Sequence, residues 1–427
     1  MRKQLFLTII SLISLLPSAL SQSISEGEVL KDINYDEYLK TIQLYPYSGD
    51  LRSTLFSPVI SLSSNNPLVL EFDEVEADVQ TYRARIIHCN ADWTKSRLMP
   101  MDYLYDFNEF DIDEYEYSFN TKIDYIHYTF KVPKVKKSGN YILAVYRESQ
   151  ELVFTRRFMV TEDRVSVQAN VIHPNSPSRR FKDQRLMIEV LHPNLHITQP
   201  NQQIKMVVVK NQDWFTAKTE LKPTRNRIDE AKLIYDHIDG SNEFNGGNEY
   251  RFFDLRTISF PSQNIGSIKK GDDYNSAFVF IDKIRDDRSY TMMDDFNGGF
   301  YIANREVEAG LISSDYVNTT FSLRSNKLPA GHHVYVRGKF TNWNLLDEFK
   351  MRYDKNLKGY TCTAFIKQGF YNYEYFVQGP NMEPSHFEGN FFETENEYEI
   401  FIYFWDQTQL IDKLVGYSQI ISNKRAR

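Results

Sequence analysis

Short runs of alternating apolar and polar residues recur along most of this chain, and this pattern constrains its fold more than any other feature. In the run TYRARIIHC, Tyr82, Ala84, Ile86 and His88 share one face of an extended strand. The chain has 28 Tyr and 30 Phe among its 427 residues, and aromatic residues favour strands. Polar segments containing Pro or Gly separate the runs. The pattern predicts an all-β protein of tandem β-sandwich domains.

The N-terminus has the composition of a secretory signal peptide. MRKQ carries two positive charges, an apolar run follows, and Ala19 and Ser21 fit the small positions before a cleavage site. We therefore predict that residues 1–21 are removed and that the mature protein is exported. Without Arg2 and Lys3, 48 basic residues remain against 57 acidic ones, a formal charge of −9. This acidic balance argues against a nucleic-acid partner, because such proteins usually present a basic face.

Segments rich in turn-forming residues divide the strand runs into three regions. We place boundaries near residues 162 and 310, which gives an N-terminal β-sandwich domain over 22–162 and a middle β-sandwich domain over 163–310. The C-terminal β-sandwich domain then covers 311–427. The two cysteines, Cys89 and Cys362, lie far apart in the chain. We therefore expect packed cores to stabilise the fold, and not a disulfide framework.

The sequence shows few residue patterns that belong to catalysis. It contains no HExxH, GxSxG or CxxC motif and no glycine-rich phosphate loop. The histidines of HPNLH, His192 and His196, are too few for a metal site, and the acidic clusters lack the spacing of a calcium loop. We therefore predict no enzymatic activity, no catalytic residue, no metal, no cofactor and no small-molecule substrate.

Several blocks of the sequence resemble one protein family. The blocks IIHCNADWT, SGNYILAVY, GGNEYRFFD and EGNFFETENEYEIFIYF, in this order, are similar to the plug protein of the type IX secretion system of Bacteroidota. The resemblance covers residues 40–416. It implies immunoglobulin-like domains and a non-enzymatic role in the periplasm, at the inner face of the outer membrane. It also implies a partner, the outer-membrane translocon barrel, whose periplasmic opening the protein blocks while no cargo passes. The protein would then be peripheral to the outer membrane through protein contacts.

The C-terminal domain also resembles the early-set domains that bind glycogen. VYVRGKFTNWN matches a strand end of that family, and Trp343 falls on a tryptophan that stacks on sugar there. This chain has Glu374 where that family has a lysine, and it lacks the second sugar-stacking tryptophan. A periplasmic glycan-binding protein that uses this domain is therefore the alternative function.

Aromatic residues are the candidates for an interaction surface or a glycan platform, since Tyr and Trp are enriched at interface centres. The candidates are Trp343, Phe340, Trp93, Trp214 and Phe244. Core or loop packing is the competing interpretation for each of them.

Overall fold

The computed structural model describes residues 29–75, 78–285, 289–307 and 310–423. The protein is all-β, as the sequence predicted, and its sheets form β-sandwiches. The predicted signal peptide, residues 1–21, lies outside the described residues. Within the part that is described, no helix is long and apolar enough to cross a membrane.

The first module contains ten strands in two sheets. One sheet has the order β1-β10-β9-β5-β6, with β3 parallel to β10, and the other has the order β2-β4-β8-β7. The strands are β1 Ile33–Asn34, β2 Leu39–Pro46, β3 Val59–Ser61, β4 Leu68–Val75, β5 Tyr82–Cys89, β6 Phe110–Ile112, β7 Glu114–Tyr117, β8 Tyr125–Lys131, β9 Gly139–Arg147 and β10 Leu152–Thr161.

The middle module begins with seven strands. Five of them form a sheet in the order β11-β12-β16-β15, with β17 also paired to β12, and β13 and β14 belong to a second sheet. The strands are β11 Ser166–Ile172, β12 Asp183–Leu191, β13 Ile204–Lys210, β14 Asp213–Leu221, β15 Arg225–Arg227, β16 Lys232–Tyr235 and β17 Glu243–Asn245.

The third module consists of the next ten strands, connected in the order β18-β27-β24-β25-β26-β23-β20-β19, with β21 beside β23 and β22 beside β27. They are β18 Arg251–Asp254, β19 Ile265–Lys270, β20 Asn275–Val279, β21 Asp282–Lys283, β22 Phe300–Ile302, β23 Tyr316–Arg324, β24 His333–Arg337, β25 Lys350–Asp354, β26 Gly359–Lys367 and β27 Gly369–Gln378.

The last two strands, β28 Glu397–Asp406 and β29 Ile411–Ile421, return to the middle module. They complete the sheet β14-β13-β28-β29, in which β13 pairs with β28 along its whole length. The third module is therefore inserted between β17 and β28 of the middle module. The boundary that the sequence predicted near 310 differs from this arrangement, because strand periodicity does not reveal which distant strand is the pairing partner.

The first and middle modules form one stack of four sheets. Tyr141 and Leu143 of β9 enter the core of the first sandwich, while Ile142 and Ala144 on its other face pack with Phe401 and other residues of the middle module. The strands β13 and β28 are likewise buried on both faces, toward the first module and toward the core of the middle sandwich. The two sandwiches thus share a continuous interior.

Helices are few and short in the part of the chain that the structure describes. They are the α-helices Pro100–Tyr103, Pro200–Gln203 and Gly310–Ser313 and the 3-10 helices Leu51–Leu55, Ile228–Glu230, Lys339–Thr341 and Asp347–Phe349. Two of the 3-10 helices, Leu51–Leu55 and Lys339–Thr341, meet where the first and third modules touch. This contact forms one side of the site described next.

Candidate functional site

All three modules meet around a cavity of about 620 Å³, which we call the junction cavity. The first module contributes residues of β2, β10 and the 91–93 turn, and the middle module contributes residues of β13 and β14. The third module contributes Phe300 and part of the segment Gly338–Asn344. The junction cavity is thus a product of the assembled chain and belongs to no single sandwich.

The junction cavity lies beside an incomplete stretch of the β10 edge. On that edge, β1 pairs with Phe154 and Thr155, and β3 pairs only from Met159 onward. Arg156 and Arg157 fall in the interval between these two partners. Because adjacent strand residues point to opposite faces, the two arginines leave the sheet on opposite sides, and both line the cavity.

Two tryptophans from different modules form one wall. Trp93 and Trp214 are in a T-shaped contact, with ring centroids 5.1 Å apart. The guanidinium of Arg157 lies 4.2 Å from the ring centroid of Trp93 and 5.3 Å from that of Trp214. Arg157 also donates from Nε to the carbonyl of Leu30 at 3.0 Å. These contacts fix the side chain of Arg157 at the boundary between the first and middle modules.

The segment GKFTNWN joins the third module to the first. Lys339 Nζ donates to the carbonyl oxygens of Thr54, Leu55 and Phe56 at 3.0, 3.0 and 3.1 Å, which are carbonyls at the end of the 3-10 helix Leu51–Leu55. Asn344 Nδ2 donates to the carbonyl of Asp32 at 3.0 Å. The stretch therefore works as a structural connector between two modules.

Trp343 is held within this connector and is only 5% exposed. Its ring lies 5.7 Å from that of Tyr250 and 5.4 Å from the guanidinium of Arg337. Gly298, at φ +81°, approaches so closely that a Cβ there would lie 2.2 Å from the Trp343 ring. Trp343 is enclosed on several sides and does not form an exposed platform on which a sugar could stack.

The charge of the cavity lining is positive. The lining contains six basic residues and two acidic ones. The basic residues are Lys31, Arg156, Arg157, Lys205, Lys222 and Lys339, and the acidic residues are Asp32 and Asp92. Burial lowers the pKa of Arg156 to about 10 and the pKa of Lys339 to about 8, because the charged forms are removed from water. Lys205 is already paired with Asp412 at 2.8 Å, but the remaining basic residues still outnumber the acidic ones, so the cavity favours a negatively charged occupant.

A second contact between modules is a buried ionic cluster around Asp73. Asp73 accepts from His127 Nδ1 at 2.7 Å, from Lys367 Nζ at 2.5 Å and from the hydroxyl of Tyr316 at 2.6 Å. Burial alone would raise the pKa of Asp73, but the charge of Lys367 and the hydrogen bond from His127 hold it below its usual range. Because Asp73 and His127 belong to the first module and Tyr316 and Lys367 to the third, the cluster joins the two.

The structure separates the five aromatic residues that the sequence singled out. Trp93, Trp214 and Trp343 line the junction cavity, whereas Phe244 packs on Tyr398 in the middle module. Phe340 packs in the core of the third module. The positions of Trp93, Trp343 and Phe244, all nearly fully buried, agree with the packing interpretation and not with an exposed interaction surface.

Sequence reasoning missed the polar residues of the junction cavity, among them Arg156, Arg157 and Gln43. A usable signal was present, because TRRF places two adjacent arginines inside the apolar run ELVFTRRFMVT. Charged residues are rarely fully buried without a partner, so a pair of them in a buried strand marks a special environment.

The described ranges contain no cluster of residues that could bind a metal ion. There, no three His, Cys, Asp or Glu side chains lie together as a metal site would require. Cys89 and Cys362 are both buried and free, and burial raises the pKa of each thiol to about 12. They are therefore poor nucleophiles and poor metal ligands.

Apolar side chains are also exposed on the first module. In the β5 to β6 connection, Met99, Met101, Tyr105 and Phe107 are exposed, Phe107 by 82%. We call residues 99–107 the apolar loop. Among the described strands, β7 is an edge strand that pairs only with β8, and it is exposed at every position. Such features are typical of protein contact surfaces.

The first module matches a known family model. Residues 39–162 match the model of the "Type 9 secretion system plug protein 1st domain". The segment 39–162 is therefore identified as a first domain of the type 9 secretion system plug protein family. The plug family resemblance of the blocks between residues 40 and 162 is thereby confirmed.

A solved structure resembles this chain over almost its full length. It is the crystal structure of a hypothetical protein from Parabacteroides merdae ATCC 43184, which is 28% identical and superposes with a TM-score of 0.85. The similarity covers 92% of this chain and 99% of that one. No curated protein matches the sequence.

Proposed function

We propose that this protein is a non-enzymatic periplasmic plug. It blocks the periplasmic opening of the outer-membrane translocon barrel of the type 9 secretion system while no cargo is passing. The observation that carries the proposal is the family match of residues 39–162. The secretory signal that the sequence predicts over residues 1–21 supports an exported location.

The way the modules are joined suits an obstruction that must keep its shape. The third module is connected to the middle module at both of its ends, because β17 precedes it and β28 follows it. The Asp73 cluster and the connector GKFTNWN also fix it to the first module. The first and middle modules share a continuous interior. A rigid body of this kind can occlude a wide pore.

We propose that the apolar loop of the first module contacts the translocon. Its exposed Met, Tyr and Phe side chains can be buried against a partner, and burial of apolar area drives most protein association. The acidic mature chain would gain little from a nucleic acid or from an anionic surface.

Permeability measurements test the proposal in cells. Deletion of the gene should raise the entry of large hydrophilic probes in a strain with an intact translocon, and the wild-type gene should restore the barrier. In a strain that lacks the translocon, the same deletion should have no effect. Unchanged permeability in the strain with the translocon would overturn the proposal.

The glycan-binding alternative depends on an accessible Trp343. In this fold the ring is enclosed by Tyr250, Arg337 and Gly298. Glu374, at the position where the glycogen-binding family has a lysine, accepts from Arg337 Nε at 2.7 Å and so is part of the packing. No observation on this face favours sugar binding over the plug role.

A further inference from the structure

Several residues of the cavity lining carry hydrogen-bond donors that the fold leaves without acceptors. Among the residues that the structure describes, four atoms of the lining residues have no hydrogen-bond partner: Gln43 Nε2, Trp93 Nε1, Arg156 Nε and Trp343 Nε1. Each of these residues is more than nine-tenths buried. All four atoms are donors, and a buried donor without an acceptor is unfavourable. A bound molecule that brings acceptors would satisfy these donors after a small adjustment of the side chains, because the four atoms have almost no accessible surface in this structure.

The two arginines add positive charge that no direct ion pair neutralises, although the charge of Asp32 acts on both of them. Within the described part of the chain, no carboxylate lies within ion-pair distance of the guanidinium of Arg156 or of Arg157. Arg156 Nη1 donates only to the carbonyl oxygens of Thr155 at 2.7 Å and Ile33 at 3.3 Å. Asp32 lies nearby but accepts from the backbone amide of Arg157, at 2.8 Å. Buried charges are normally paired directly, so a bound anion would supply the direct ion pair that Asp32 does not make.

The remaining walls of the cavity are apolar and aromatic. Trp93, Trp214 and Trp343 line it together with Met159 and Val207. The volume of about 620 Å³ is within the size range of small-molecule sites. A few polar groups in a largely apolar pocket are also the usual composition of such sites.

We propose that the junction cavity binds a small amphiphilic anion, a molecule with one carboxylate or phosphate group on an apolar or aromatic body. The oxyanion pairs with the guanidinium of Arg156, and small adjustments of the neighbouring side chains bring the unpartnered donors to it. The apolar body packs against the tryptophan rings. Because all three modules contribute to the lining, the ligand stabilises their assembled arrangement. The inference does not depend on the plug function.

Binding of two chemically matched probes tests the charge requirement. The probes are 4-phenylbutyrate, which has a carboxylate on an aromatic body, and 4-phenylbutyramide, its neutral counterpart. Three of the four tryptophans line the cavity, so tryptophan fluorescence of the full chain reports its occupancy. We expect saturable binding of the acid, with the amide at least about tenfold weaker. Inorganic phosphate, added as a competitor, should displace the acid if a phosphate group is also accepted, and no displacement restricts the site to carboxylates.

Equal affinity for the acid and the amide would overturn the proposal, because the cavity would then be an apolar site without anion recognition. The absence of saturable binding of the acid at millimolar concentration would overturn it as well, because the cavity would then hold solvent alone.

Three variants connect the binding to named residues. In R156M, the unpaired charge is replaced by an apolar side chain of similar length, so we expect affinity for the acid to fall at least about tenfold while Tm is unchanged or higher. Q43M removes one unpartnered donor and should weaken binding by a smaller factor. R352M, at an exposed arginine on β25, is the matched control and should bind as the wild type does.

Wild-type affinity in R156M would contradict the assignment of the oxyanion to Arg156. If R156M does not fold, Q43M decides the question, and unchanged affinity in that variant overturns the proposal.

Discussion

A single buried carboxylate, Asp73, holds charges from two modules together. Its partners are His127 of its own module and Lys367 and Tyr316 of the third module. The side chains of Asp73 and Lys367 are each 1% exposed. A pair this deeply buried specifies how two modules fit, since loss of either partner leaves an uncompensated charge.

Replacing Lys367 by Met should therefore destabilise the protein by about 3 kcal/mol, because Asp73 stays buried with its main counterion removed. Urea unfolding measures the change. The double variant D73N/K367M should regain part of the loss, since no unpaired charge remains. As a control, K40M removes the more exposed Lys40–Glu348 pair and should change stability by at most about 1 kcal/mol. Equal effects of K367M and K40M would contradict this account.

The pH dependence of stability has a residue-scale source in Glu399 of β28. Burial, and secondarily the charge of Glu397, raise the pKa of Glu399 from 4.5 to about 7. Between these values the native state holds a proton that the unfolded chain has released, so stability falls as pH rises and levels off above about pH 7.

We expect E399Q to reduce this fall. The decrease in unfolding free energy between pH 5 and pH 7 should be smaller in E399Q than in the wild type, by up to about 3 kcal/mol. Denaturant unfolding at the two pH values measures it. Asp295 contributes with the same sign, because burial raises its pKa to about 7, and it is unchanged in the variant. Identical pH profiles for the two proteins would exclude Glu399 as the source.

At the scale of elements, the predictability of a strand depended on how many of its faces are buried. In β5, one face is fully buried, and it is the predicted face of Tyr82, Ala84, Ile86 and His88. The alternation of inward and outward residues therefore identifies β5 as a strand from the sequence. The strands β9, β10, β13 and β28 are buried on both faces and read as nearly continuous apolar runs. The sequence predicts that these segments are strands. It does not predict that a sheet packs against each of their two faces.

The apolar loop is the element that we expect to contact the translocon. F107S and M101S alter side chains that are largely exposed, so the free energy of unfolding should change by no more than about 0.5 kcal/mol. Each should weaken association with the purified translocon, up to about tenfold. I228S, at an equally exposed apolar residue of the middle module, is the control and should bind normally. Full association by the double variant F107S/M101S would place the contact elsewhere.

At the scale of the whole molecule, the insertion of the third module into the middle module sets the order of assembly. The middle sandwich is complete only after β28 and β29 have been synthesised, because β28 pairs with the entire length of β13. The sequence predicted the sandwiches but not this connection, since pairing over nearly two hundred residues has no local signature. The junction cavity was unpredictable for the same reason, as its lining comes from all three modules.

A chain that ends at residue 395 should lose the middle module. Without β28 and β29, the apolar faces of β13 are uncovered, and we expect rapid proteolysis within residues 163–245. Limited proteolysis with mass spectrometry detects the cuts. A chain that ends at residue 423 keeps both strands and should resist as the full chain does. If residues 163–245 of the shorter chain resist proteolysis as well as those of the full chain, the pairing of β13 with β28 would be contradicted.

The central claim, that this assembled molecule closes a pore, is tested most directly by single-channel conductance of the purified translocon in a planar bilayer. The full mature chain, added to the periplasmic side, should lower the conductance of the open translocon, and its removal by washing or competition should restore it. The double variant F107S/M101S should require a higher concentration for the same block. A conductance unchanged by saturating wild-type protein would contradict the account.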